Sequence, residues 1–184
     1  PDEIWGADDD TDVEYMYLWT MYQQQTAKLT PTQIREAWVR HIYDELQPTP
    51  YGKDEFGYQN FLWVSNQSAH TLMLKGYLPP ETAHPDNNPN GDMIDAQLTT
   101  EIFGLLAPGL PKVALEIAYL PVRTAGYGDA VLISEFYIVM HSLAALEPRG
   151  DLAPERLQNL AHAARQYLPD NSVPASMFDF VKRQ

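Results

Sequence analysis

Apolar residues recur along most of this chain at intervals of three and four, and the alternation that marks a strand is nearly missing. An α-helix turns once in about 3.6 residues, so such spacing gathers apolar side chains on one face, and faces of this kind pack against one another. Val13, Met16, Tyr17 and Met21 predict a first helix from Asp12 to about Thr26, with Leu18 and Trp19 widening its buried side. A stronger start follows: Thr30 can cap, Pro31 suits the first helical position and Gln33 completes a capping box ahead of Ile34, Ala37, Trp38, His41, Ile42 and Leu46. That helix is expected to end before Pro48. Gln47 to Gly57 reads as loop and Tyr58 to Leu74 as helix. The pattern returns from Met93 to Leu106, from Pro111 to Tyr119 and from Asp129, a plausible cap, to Leu146; two more helices fit Pro154 to Tyr167 and Pro174 to Lys182. With 184 residues, 45% of them apolar, the chain can bury one substantial core, so the expectation over 1–184 is a single all-α domain of seven or eight helices.

Charge and cysteine content narrow the function classes. Twenty-five acidic against twelve basic residues give a net charge of -13, which repels nucleic-acid phosphates and anionic lipid, and the Lys and Arg residues form no local basic patch. The absence of cysteine removes thiol nucleophiles, zinc-thiolate sites and iron–sulfur clusters. No apolar run is long enough to span a bilayer, and Pro1 to Gly6 form neither the basic nor the apolar part of a signal peptide. A soluble protein is therefore expected, with an intracellular site favoured and no nucleic-acid or membrane partner. Because the chain does not begin with Met, native sequence is expected upstream.

Two segments carry candidate chemistry. Asp8, Asp9, Asp10 and Asp12 place four carboxylates in five residues at the start of the first helix. Like charges this close raise one another's pKa unless something positive intervenes. A helix N-terminus is one remedy, and then the run is only an acidic cap. A hard divalent cation is the other, because oxygen ligands fanned around a turn suit magnesium, manganese or calcium. An EF-hand is excluded, since Val13 would stand at its glycine and Trp19 at its closing glutamate. The second segment, Pro79 to Asp92, holds four prolines, three asparagines and three acidic residues, and reads as a long ordered loop. Its extension to Gln97 approaches a calcium loop with Asp86, Asn88, Asn90 and Gly91, but Gln97 stands where the bidentate Glu belongs.

Other motifs fail. Gly126 and Gly128 lack the third glycine and preceding strand of a dinucleotide loop, and no P-loop, G-x-S-x-G or H-E-x-x-H occurs. His41, His70, His84, His141 and His162 lie far apart and read as ordinary core or surface histidines.

The string Asp8-Asp9-Asp10-Thr11 at the head of an amphipathic helix resembles the aspartate-aspartate-threonine motif of ADP-ribosylglycohydrolases. The resemblance continues through Asn90-Gly91-Asp92-Met93-Ile94-Asp95-Ala96, Glu101-Ile102-Phe103-Gly104, Ala107-Pro108-Gly109 and Leu115-Glu116-Ile117-Ala118-Tyr119 to the helix through Glu135-Phe136. It covers about residues 5 to 145, the front portion of the family's domain. It implies an orthogonally packed all-α fold, two neighbouring Mg2+ or Mn2+ ions in the complete domain, and cleavage of the glycosidic bond between ADP-ribose and a protein or small-molecule acceptor. By the same resemblance Asp8, Asp9 and Asp10 are metal ligands, and Asn90, Gly91 and Met93 belong to a loop that holds ADP-ribose. The metals would orient the ribose hydroxyls and help activate water against an oxocarbenium-like transition state.

Three family features are missing. No aspartate-x-aspartate-threonine string follows Leu146, upstream of Asp8 only Glu3 is glutamate, and no histidine accompanies Arg123 to Tyr127. Either the remaining part of the domain lies on other sequence, or the chain is a non-catalytic member that binds ADP-ribose or a protein partner.

Overall fold

The computed structural model describes residues 9–42, 62–148 and 153–182. Among them are nine helices and no strand: α1 (Asp9–Gln24), α2 (Pro31–His41), α3 (Val64–Leu74), α4 (Asp95–Leu98), α5 (Ile102–Leu105), α6 (Pro111–Ala125), α7 (Asp129–Ala144), α8 (Pro154–Arg165) and α9 (Val173–Val181).

Local signals account for several helix ends. The Thr30 hydroxyl accepts from the Gln33 amide at 3.3 Å while the Thr30 amide donates to Gln33 Oε1 at 2.9 Å, the reciprocal box expected for α2. Ser172 caps α9 by accepting from the Ala175 amide, so that helix begins at Val173, one residue before the Pro174 expected to open it. Four expectations need correction. α1 begins at Asp9 rather than Asp12, which puts Asp9, Asp10 and Asp12 inside its first turn. α6 continues past Tyr119 to Ala125 even though Pro121, buried in its interior, cannot donate to the preceding turn. Gly128, at φ 58°, takes the cap position of α7 and Asp129 is its first helical residue. The single helix expected from Met93 to Leu106 is two short ones. Thr99 and Thr100 turn their hydroxyls onto the Asp95 and Ala96 carbonyls, and Glu14 Oε1 reaches from α1 to accept from the Ile102 amide at 2.8 Å and start α5 afresh.

Tyr17, Trp38 and Phe103 form the centre of the core. Their rings meet edge to face, 6.5 Å between the Tyr17 and Trp38 centroids and 5.5 Å between those of Tyr17 and Phe103, and Trp38 Nε1 donates to the Tyr17 hydroxyl at 3.1 Å. Burial pushes the Tyr17 phenol up to about 12. The three rings tie α1 to α2 and α5. α7 is the other organising element and packs on α4, α5, α6, α8 and α9. Gly104 permits the α5 contact: a Cβ there would lie 2.4 Å from the Ile138 carbonyl oxygen and 2.6 Å from His141 Cβ. No helix among the described residues is long and apolar enough to cross a membrane.

Candidate functional site

The head of α3 gathers the polar groups of most interest. A helix begins with amide N–H groups that have no partner within the helix, and here two carboxylates from distant sequence supply the acceptors. Asp9 Oδ2, from the first turn of α1, accepts from the Trp63 amide at 2.8 Å and from Asn66 Nδ2 at 3.0 Å. Asp95 Oδ1, at the start of α4, accepts from the Ser65 and Asn66 amides at 3.0 and 3.2 Å. The Ser65 hydroxyl donates to the carbonyl of Ala125 at the end of α6, which locks the same point to a third helix.

These groups lie away from solvent: Asp9 and Asp95 are each 4% exposed, and Asn66 is fully buried. Within them, Asp9 Oδ1 and Asn66 Oδ1 have no hydrogen-bond partner. Burial raises the Asp9 carboxyl above its ordinary range; the bonds from Asn66 and Trp63 oppose that shift, and the nearby Asp95 charge adds to it. Asp10 follows on α1 and is half-buried. Asp8 lies outside the described residues. Among the described residues no three His, Cys, Asp or Glu are grouped so as to hold a metal ion. The polar side chains that meet at the head of α3 are those of Asp9, Asn66 and Asp95.

The predicted ligand loop packs against the same helix further along. Asn90 Nδ2 donates to the Ser68 hydroxyl on α3 at 3.2 Å, and Asn90 receives support through its amide from Asn88 Oδ1 at 3.1 Å. Asn88 is buried and donates to the Ser65 and Thr82 carbonyls, both at 3.1 Å, which explains how a proline- and asparagine-rich loop is held without regular structure. Gly91 accepts at its carbonyl from the Tyr127 amide at 2.6 Å, and a Cβ at Gly91 would stand 2.7 Å from the Ala83 carbonyl oxygen. Glycine is therefore required by close backbone approach. Met93 is 44% exposed. Ala83 and Tyr127 also line a cleft of about 550 Å³ that continues past His84, Arg123 and Asp129. The Arg123 charge in that cleft is paired with Glu135 at 2.9 Å and lies over the Tyr119 ring.

Thus α3 joins the two groups singled out in the sequence, Asp9 at its head through Asn66 and Asn90 on its flank through Ser68. Sequence reasoning did not select Asn66 or Asp95 as site residues. Asp95 lay within a motif string, whereas Asn66 offered no signal beyond being a polar residue in a helical pattern. No family model, curated protein or solved structure matches the chain.

Proposed function

We propose that this chain is the front portion of a metal-dependent hydrolase that cleaves the glycosidic bond between ADP-ribose and a protein or small-molecule acceptor. The observation that carries the reading is the Asp9 carboxylate, 4% exposed, with Oδ1 lacking any donor. A buried carboxylate oxygen in that state calls for a proton or a cation. The other carboxylates near it, Asp10 in the same first turn and Asp95 close enough to add its charge, are hard oxygen ligands, which fit Mg2+ or Mn2+ and not a soft metal.

In this reading Asp9 and Asp10, with Asp8 before them, hold the first of two ions, and the rest of the domain completes the second. When bound, such a cation would supply Lewis-acid chemistry at the ribose hydroxyls and at a nearby water. The protein residues have separate tasks. Asn66 and the Trp63 amide fix the Asp9 carboxylate through Oδ2, which leaves Oδ1 as the available atom. Asn90 and Gly91, braced on α3 and on Tyr127, form the wall against which ADP-ribose is held, with Met93 at its exposed edge. The test is release of ADP-ribose from a modified peptide by the full-length protein with Mg2+ or Mn2+. A protein that binds the metal and releases nothing refutes catalysis.

A second reading has its own support, because Asp9 and Asp95 both serve as acceptors for the head of α3. On that reading the carboxylates are structural and the chain is a non-catalytic ADP-ribose-binding or protein-interaction member. Calorimetry with ADP-ribose separates the possibilities: heat without turnover supports binding alone, and no heat with or without metal argues against ligand recognition.

A further inference from the structure

Two unmatched oxygens at the head of α3 belong to neighbouring side chains. Asp9 Oδ1 and Asn66 Oδ1 are buried with no donor, and the two side chains are joined through their other polar atoms, Asn66 Nδ2 donating to Asp9 Oδ2 at 3.0 Å. With Asp9 ionised both atoms are acceptors, so neither can satisfy the other, and a buried acceptor without a partner is costly. The local charge points the same way. Asp9 and Asp95 bring two carboxylates to one helix head, whose dipole offers only about half a positive charge. Among the described residues no Lys or Arg forms an ion pair with either. Negative charge is left over where two oxygens lack donors.

We infer that Asn66 is a ligand of the cation site: its side-chain carbonyl oxygen and Asp9 Oδ1 are donors to one hard divalent cation, Mg2+ or Mn2+, with water completing the shell. This rests on the reading of Asp9 as a metal ligand and adds a residue to it. Side-chain amide oxygens are ordinary partners of hard cations, and a magnesium-like ion keeps several waters, so few protein oxygens suffice. Asp95 acts as a positioning residue, since its Oδ1 holds the Asn66 amide at 3.2 Å and so fixes where the Asn66 side chain starts.

The experiment is calorimetric titration of Mn2+ into the full chain after chelator treatment, with melting temperature measured with and without Mn2+. The wild type is expected to bind saturably and to melt higher with Mn2+. Asn66→Ala is expected to bind about tenfold more weakly or worse. Asn66→Asp, which exchanges an amide for a carboxylate, is expected to melt lower than wild type without metal, gain more from Mn2+, and bind at least as tightly. Wild-type affinity in Asn66→Ala overturns the assignment of Asn66 and leaves Asp9 as a ligand. Should Asn66→Ala not fold, Asn66→Asp decides, because a purely structural asparagine would lose stability and affinity together. If the wild type neither binds Mn2+ nor melts higher with it, the metal reading of Asp9 fails and takes this inference with it.

Discussion

Replacing Asp9 by Asn should make the metal-free protein more stable, the reverse of what removing a helix-capping carboxylate ordinarily does. The substituted amide keeps an oxygen to accept from the Trp63 amide and Asn66 Nδ2, now 2.8 and 3.0 Å from Asp9 Oδ2. Its nitrogen takes the place of Asp9 Oδ1, so the change removes one unmatched acceptor and offers a donor whose expected acceptor is Asn66 Oδ1, on the side chain already bonded to Asp9. It also removes a charge from beside Asp95. A buried polar atom left unsatisfied costs about 1–3 kcal/mol, and the expected gain at pH 7 is of that size. The pH dependence has a definite sign. Burial raises the Asp9 carboxyl above its ordinary 3.8 in the folded state, so the native protein holds a proton that the unfolded chain has already released. Stability from this group is complete below 3.8 and is lost as pH rises through the raised folded value. Asp9→Asn should lack that decline. Urea unfolding followed by tryptophan fluorescence, with chelator present and pH stepped from acid to neutral, measures both quantities. A variant less stable than wild type by more than about 1 kcal/mol, with the pH slope unchanged, would refute the reasoning. Mn2+ should raise the wild-type midpoint and leave the variant's where it was.

Glu14 is a second raised carboxyl: burial lifts it, the bond from the Ile102 amide opposes the shift, and Glu101 adds to it. Glu14→Gln keeps an acceptor for that amide and should flatten the loss of stability as pH rises above 4.5, whereas Glu14→Ala should cost about 1–3 kcal/mol by stranding the amide; urea unfolding of both across pH tests this. Gly104→Ala should destabilise by about 1–3 kcal/mol, because its Cβ would stand 2.4 Å from the Ile138 carbonyl oxygen and 2.9 Å from the Ser142 amide nitrogen. Alanine's better helix propensity, worth about 1 kcal/mol, offsets only part of this, and a thermal melt at or above wild type would show that α5 and α7 do not approach so closely.

The features legible in the sequence are those decided within a turn or two of chain. The Thr30–Gln33 box and Pro31 announced the start of α2, the apolar period announced α1 and α7, and the prolines and asparagines of Pro79 to Asp92 announced a loop. Where neighbours in space intervene, local residue patterns do not fix the helix ends. Pro121 marks a helix end by local rules, yet α6 runs through it to Ala125, whose carbonyl is held by Ser65. The break between α4 and α5 depends on Glu14, a residue distant in sequence, satisfying the Ile102 amide.

The candidate site divides in the same way. The acidic run and the Asn90-Gly91 loop could be selected from residue type and order alone, because four carboxylates in five residues and a glycine in a turn-rich segment are local facts. Whether the run was a cap or a ligand set could not be read there, since each outcome requires a partner that the run does not contain. Only the tertiary structure brings Asp9 and Asp95 to the head of α3, sets Asn66 between them and leaves two oxygens without donors. Periodicity and caps therefore determined the helices, and packing decided which polar atoms lost their water and what partners they were left with, because desolvation depends on what closes over a residue from elsewhere in the chain.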